Sequence, residues 1–88
     1  MAVTAARVTV SNSAVALNTA SNGGQRLTVQ NQDGTNTVSL GPSGVTAANG
    51  YRLNVNEARV FELLPYEILF AIRDGAADVV VSVLRQGV

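Results

Sequence analysis

Residues 66–85 read Tyr66-Glu67-Ile68-Leu69-Phe70-Ala71-Ile72-Arg73, Asp74-Gly75-Ala76-Ala77, Asp78-Val79-Val80-Val81-Ser82-Val83-Leu84-Arg85. Two β-rich runs flank a turn that begins Asp-Gly, a strong short-range signal for an antiparallel hairpin. At period two, Ile68, Phe70 and Ile72 share one face of the first strand, and Val79, Val81 and Val83 share one face of the second. The opposite face is apolar as well. Leu69 and Ala71, then Val80 and Leu84, stand where a half-exposed sheet carries polar residues. Both faces therefore ask for cover, one from the chain's own core and the other from its loops or from a partner.

Upstream, the cleanest alternation is Gln25-Arg26-Leu27-Thr28-Val29-Gln30-Asn31, with Leu27 and Val29 inward. Its expected partner is Thr37-Val38-Ser39-Leu40, across the loop 32–36. Shorter β-like runs lie at 7–10, 14–17, 51–53 and 59–63. Between them, Ser11-Asn12-Ser13, Asn22-Gly23-Gly24, Gly41-Pro42-Ser43-Gly44 and Asn49-Gly50 are turn signals. Pro65 cannot donate to a ladder and belongs at an edge or corner. No window combines helical periodicity with a cap and good helix formers. About seven or eight short strands with turns every eight to twelve residues predict an all-β fold, a small antiparallel β-sandwich or jelly-roll-like domain with no substantial helix. Residues 1–6 are expected to form a flexible N-terminal arm, and 7–88 a single domain. The expected core is Leu27, Val29, Val38, Leu40, Leu53, Phe61, Leu63, Ile68, Phe70, Val79, Val81 and Val83.

Composition narrows the chemistry. The 88 residues contain no histidine, cysteine or tryptophan, and all six basic residues are arginine. The usual general base near neutral pH, the thiolate nucleophile, the Schiff-base amine and the commonest transition-metal ligand are thus absent together. The expectation is a protein that is not an enzyme and holds no cofactor or metal. Six arginines against six acids give a net charge of zero, so no global field draws in nucleic acid or an anionic membrane. The first residues lack the charged start and long apolar core of a signal peptide, and the expectation is a chain made in a cytoplasm. With no disulfide framework, a small β domain has self-association left as reinforcement.

Several stretches resemble a module that recurs in tailed-phage virion proteins. They are Ser21-Asn22-Gly23-Gly24-Gln25-Arg26-Leu27-Thr28-Val29-Gln30-Asn31, then Gly41-Pro42-Ser43-Gly44-Val45-Thr46, then Gly50-Tyr51-Arg52-Leu53, Phe61-Glu62-Leu63 and Glu67-Ile68-Leu69-Phe70-Ala71-Ile72. The likeness runs from about Val8 to Leu84 and rests on packing and turn motifs. Tyr66 departs from it, standing where a Gly-rich turn is expected. The resemblance implies a free-standing head decoration (cement) protein on the outer surface of the virion capsid. Such a protein binds the phage major capsid protein as a homotrimer at threefold or quasi-threefold positions and stabilises the shell. The sequence ends at Val88 without a fibre extension, which favours that expectation. The alternative is a head-fibre or tail-tip module that binds a host-surface glycan or another virion protein, with Tyr51 and Tyr66 as the aromatic candidates. Under the first expectation, Leu69, Val80 and Leu84 form the trimer interface, unless loops of the same chain cover them. Ala2, Val3, Thr4, Arg7, Arg26, Arg52 and Arg59 are the candidate capsid contacts, the arm lying along the shell and the arginines pairing with shell carboxylates.

Overall fold

The computed structural model describes residues 3–75 and 77–87, and places among them eight strands and no helix. The strands are β1 (Val3–Val10), β2 (Val15–Ala16), β3 (Gln25–Asn31), β4 (Val38–Gly41), β5 (Tyr51–Leu53), β6 (Ala58–Leu63), β7 (Phe70–Arg73) and β8 (Val79–Gly87). They form two four-stranded antiparallel sheets, in the orders β1-β8-β3-β6 and β2-β7-β4-β5. The pairing is nested. β4 pairs with β5, β3 with β6, β2 with β7 and β1 with β8, as in one long hairpin whose tip is the 42–50 loop. Rolling that hairpin brings β3 against β8 and β4 against β7, which is the jelly-roll arrangement of a double-sheet sandwich.

Every connection except the one from β4 to β5 therefore passes from one sheet to the other. This corrects two expectations. Residues 66–85 are not a hairpin, because β7 and β8 lie in different sheets; nor does β3 pair with β4. The Asp-Gly turns carry the local signature of a hairpin without its geometry. A two-residue type I′ hairpin needs positive φ at both central residues, and no described glycine has positive φ. Asp33 and Asp74 instead use their carboxylates to fasten arches. Asp33 accepts from the amides of Thr35 (2.7 Å) and Asn36 (3.0 Å). The two arches touch, since a Cβ on Gly75 would sit 2.9 Å from Asn36 Oδ1.

The core lies between the sheets. Leu27 and Val29 of β3, Val79, Val81 and Val83 of β8, and Val10 of β1 face Val38, Leu40, Leu53 and Ala71. Phe61 and Leu63 pack against this cluster half-buried. On β7 the inward face is the reverse of the one expected. Ala71 is fully buried and Leu69 packs on the core, while Ile68, Phe70 and Ile72 are only half-buried. Asn18 sets this register, because its Oδ1 accepts from the Leu69 amide (2.8 Å) and its Nδ2 donates to the Glu67 carbonyl (3.1 Å). A polar side chain thus supplies the pairing that a longer β2 would have made.

The arm is also corrected. Val3 to Ala6 form the first half of β1, opposite Gln86, Arg85, Leu84 and Val83. β8 is apolar over most of its length and sits between two neighbours, so its last residues need a strand beside them as much as its first do. Ala2 lies outside the described residues.

Candidate interaction surface

The two outer faces of the sandwich are finished differently. On the β2-β7-β4-β5 sheet, the 42–50 loop folds over β4. Ser39, outward by alternation, is fully buried there, and Val45 is 4% exposed. Gly50 permits the approach, since a Cβ on it would stand 2.5 Å from that of Ser39. Asp74 closes the same region. Its carboxylate accepts from Thr37 Oγ1 (2.6 Å), Ser39 Oγ (2.6 Å) and Arg52 Nε (3.2 Å).

The outer face of the β1-β8-β3-β6 sheet has no such cover. Cross-strand register sets Ala5, Leu84, Thr28 and Val60 in one row, and Arg7, Ser82, Gln30 and Ala58 in the next. Val60 is 58% exposed, Val80 40% and Leu84 39%. Between the rims formed by Ala5 and Arg7 on one side and Thr28 and Gln30 on the other runs an open groove of about 640 Å³, its floor at Ser82 and Leu84. It is mostly apolar, with Arg7 and Gln30 lining it beside Ser82.

Of the expected trimer contacts, Val80 and Leu84 share this face and Leu69 does not; Leu69 is held inward by Asn18. Val60, on β6 beside Thr28, joins them. Val3 and Thr4 are exposed on β1. The candidate capsid arginines divide. Arg26 pairs with Glu62 (2.9 Å), Arg52 with Asp74 (3.2 Å) and Arg59 with Glu57 (2.8 Å). Arg7 has no carboxylate partner among the described residues. Exposed pairs of this kind contribute little to stability, and their effect here is to leave Arg7 as the cation of the groove.

Tyr51 and Tyr66 part company. Tyr51 packs edge-on against Phe61, with ring centroids 6.2 Å apart, and Arg59 lies over its ring. Tyr66 is 69% exposed, as is Leu64. It occupies the third position of the turn Leu64-Pro65-Tyr66-Glu67, with φ 68°, the left-handed region that a glycine normally fills. Holding a bulky residue there costs on the order of 1 kcal/mol. Three bonds enforce it: Tyr66 N to Ser21 O (2.8 Å), Glu67 N to Leu64 O (3.1 Å) and Leu64 N to Glu67 Oε1 (2.6 Å). The sequence carried a signal for this, a Pro-Tyr pair where Pro-Gly is ordinary.

No group of three or more acidic, histidine or cysteine side chains among the described residues is placed to hold a metal ion. The titration behaviour follows from the turns. Backbone donation from Thr35 and Asn36 lowers the Asp33 pKa from its ordinary 3.8, and donation from Asn54, then from Arg59, lowers that of Glu57 from 4.5. For both groups the unfolded chain binds protons more readily, so stability rises with pH through this window. The unfolding midpoint is expected to be flat from about pH 5 to 8, where no histidine or cysteine titrates. It should fall below the ordinary carboxylate values, as protonation reaches the lowered pKa of each group. Thermal melts between pH 2 and 8 check this, and Asp33→Asn should flatten the acid limb.

Comparison with protein-family models, with curated proteins and with solved structures finds no match to this chain.

Proposed function

We propose that the chain is a structural virion protein that decorates the outside of a phage head. It binds there as a homotrimer at threefold or quasi-threefold positions and bridges major capsid subunits. The observation that carries this reading is the uncovered apolar face bearing Val60, Val80 and Leu84, on a sandwich whose other outer face is closed by its own loops. The turn and strand motifs shared with tailed-phage virion modules give the face its context. Jelly rolls also build viral capsid and lectin domains, but a fold hosts many tasks and adds only analogy.

The mechanism needs no catalytic group. A protein that binds the assembled lattice and not its free subunits adds its binding free energy to the shell by mass action. A trimer offers three copies of one weak site, and their linkage strengthens binding well beyond any single contact. Val80 and Leu84 lie on the contact between copies, and Val3, Thr4 and Arg7 on β1 are candidates for the lattice.

The test has two parts. Labelled electron microscopy of virions should place the protein on the head surface, whereas label on a tail tip or fibre, or a reproducible glycan-array hit, would favour the alternative module. Val80→Asp puts a charge on the exposed face without touching the core. It is expected to leave a monomer by light scattering and to weaken retention on heads by roughly 100-fold, the range that loss of multivalency gives. An intact Val80→Asp trimer would remove this face from the contact. A wild-type protein that ignores intact heads would end the reading.

A further inference from the structure

The sandwich is open at one end, and an arginine stands inside the opening. Alternation along β8 turns Val79, Val81 and Val83 into the core, and the next residue on that face is Arg85. Register sets it between Leu27 of β3, which is fully buried, and Thr4 of β1. Cover from the opposite sheet would fall to β2, which is only 2 residues long. Thr4 and Ala6 share the inner face of β1 with Val8 and Val10, yet they stay exposed. Two adjoining open cavities of about 380 and 320 Å³ occupy this end, and Thr4, Thr19 and Arg85 line both.

The arginine is held in place without being neutralised. Arg26, Arg52, Arg59 and Arg73 each pair with a carboxylate. The half-buried Arg85 instead donates from Nη1 to Thr19 Oγ1 (3.0 Å) and has no carboxylate partner among the described residues. Thr19 is itself fixed by two buried amides, since its carbonyl accepts from Asn18 Nδ2 (3.2 Å) and Gln25 Nε2 (2.9 Å). The guanidinium is therefore positioned in advance, which lowers the ordering entropy that a ligand would have to overcome. No acidic residue lines either cavity among the described residues, whereas Thr4, Thr19 and Ser21 bring hydroxyl donors.

We infer that this end of the sandwich binds a carboxylate, held by the fork of Arg85 with the hydroxyls of Thr4 and Thr19 beside it. The occupant is an anion because the lining supplies a cation and donors without a compensating acid. It is a carboxylate because one guanidinium balances one negative charge, which a phosphate monoester exceeds, and because the planar fork matches two coplanar oxygens. The cavities are of a size to admit a small organic acid or an acidic side chain of a partner protein, and both carry this group. The site opens on the inner face of the sheet, away from Val60, Val80 and Leu84, so it stands apart from the self-association proposed above.

Titration of the isolated protein, followed by ¹H–¹⁵N NMR at constant ionic strength, tests this. The probes are glucuronate for a free acid, N-acetylglutamate methylamide for an acidic side chain, and glucose as the neutral control. At least one acid is expected to saturate shifts at Thr19, Val83 and the Arg85 Nε–H, with a Kd of about a millimolar, while glucose moves none of them. The tighter of the two acids tells which source the site suits. Arg85→Gln should weaken binding by roughly 10-fold or more, and Arg85→Lys, which keeps the charge but loses the fork, by a smaller factor. Thermal melts beside the titrations show that both variants fold. An arginine that served only to pin Thr19 would lower the melting temperature on replacement, with no saturable shift from either acid in the wild type; that result overturns the inference. Equal shifts from glucose, or binding that survives Arg85→Gln, overturn it as well. A protein that ignores phage heads yet binds the acid keeps this site and loses only the decoration reading.

Discussion

Leu27→Ala is expected to remove most of the stability of this fold. Leu27 is fully buried on β3, between Phe61 of β6 and Arg85 of β8 in register, with its side chain in the intersheet core. Cutting such a leucine back costs about 3–5 kcal/mol, the lost transfer energy plus a cavity that rigid neighbours cannot close. A domain of this size holds on the order of 5–10 kcal/mol in total. The melting temperature should fall by roughly 15 °C or more. The informative partners are Leu69→Ala and Ile68→Ala. Period-two reading of residues 68–72 turns Ile68 inward and Leu69 outward, while Asn18 reverses them. Leu69→Ala should therefore cost more than Ile68→Ala, measured by urea denaturation. The opposite order would restore the register expected from sequence.

That reversal marks where sequence reading succeeds and where it stops. Alternation placed β3 and β8 correctly, because both are long enough for period two to separate a buried row from an exposed one. Leu27, Val29, Val79, Val81 and Val83 were legible for that reason. Pairing was not legible. Asp33-Gly34 and Asp74-Gly75 carry the hairpin signal in full, yet the chain uses both as arches, a choice fixed by contacts far away in sequence: Asp74 with Ser39, Asn18 with Leu69. Val3–Ala6 looked like an arm because the two alanines break off the β-branched start at Val3-Thr4 and leave no apolar/polar alternation, and their pairing comes from β8 across the whole length of the chain. The uncovered face was half legible. Val80 and Leu84 follow from alternation within β8, whereas Val60 joins them only once β6 is known to share their sheet. Leu69 was assigned to that face through the same hairpin error. Tyr66 was visible as an oddity of composition, but its exposure depends on the Ser21 carbonyl, which lies 45 positions upstream (66 − 21).

Asp74→Ala should show that the arch, rather than local turn preference, decides the pairing. The carboxylate holds the hydroxyls of Thr37 and Ser39 at 2.6 Å each, and the Asp74 amide donates to the Thr37 carbonyl at 3.2 Å. Removing it leaves Ser39 Oγ, fully enclosed, with only the Ala47 carbonyl at 3.5 Å. An enclosed hydroxyl without a good acceptor costs about 1–3 kcal/mol, and the lost charge-assisted bonds bring the expected total to roughly 3 kcal/mol. Arg52 adds little, since its side chain is 62% exposed. The mechanism separates from simple loss of packing in a double-mutant cycle. Ser39→Ala removes the hydroxyl that Asp74 serves, so Asp74→Ala made in that background should cost about 1–2 kcal/mol less than in the wild type. Additive losses would mean that Asp74 acts through Thr37 and Arg52 rather than through Ser39. A strong coupling would mean that a residue of the 74–78 connection is bonded to the middle of β4, which a β7–β8 hairpin would not require and which an arch crossing from one sheet to the other does.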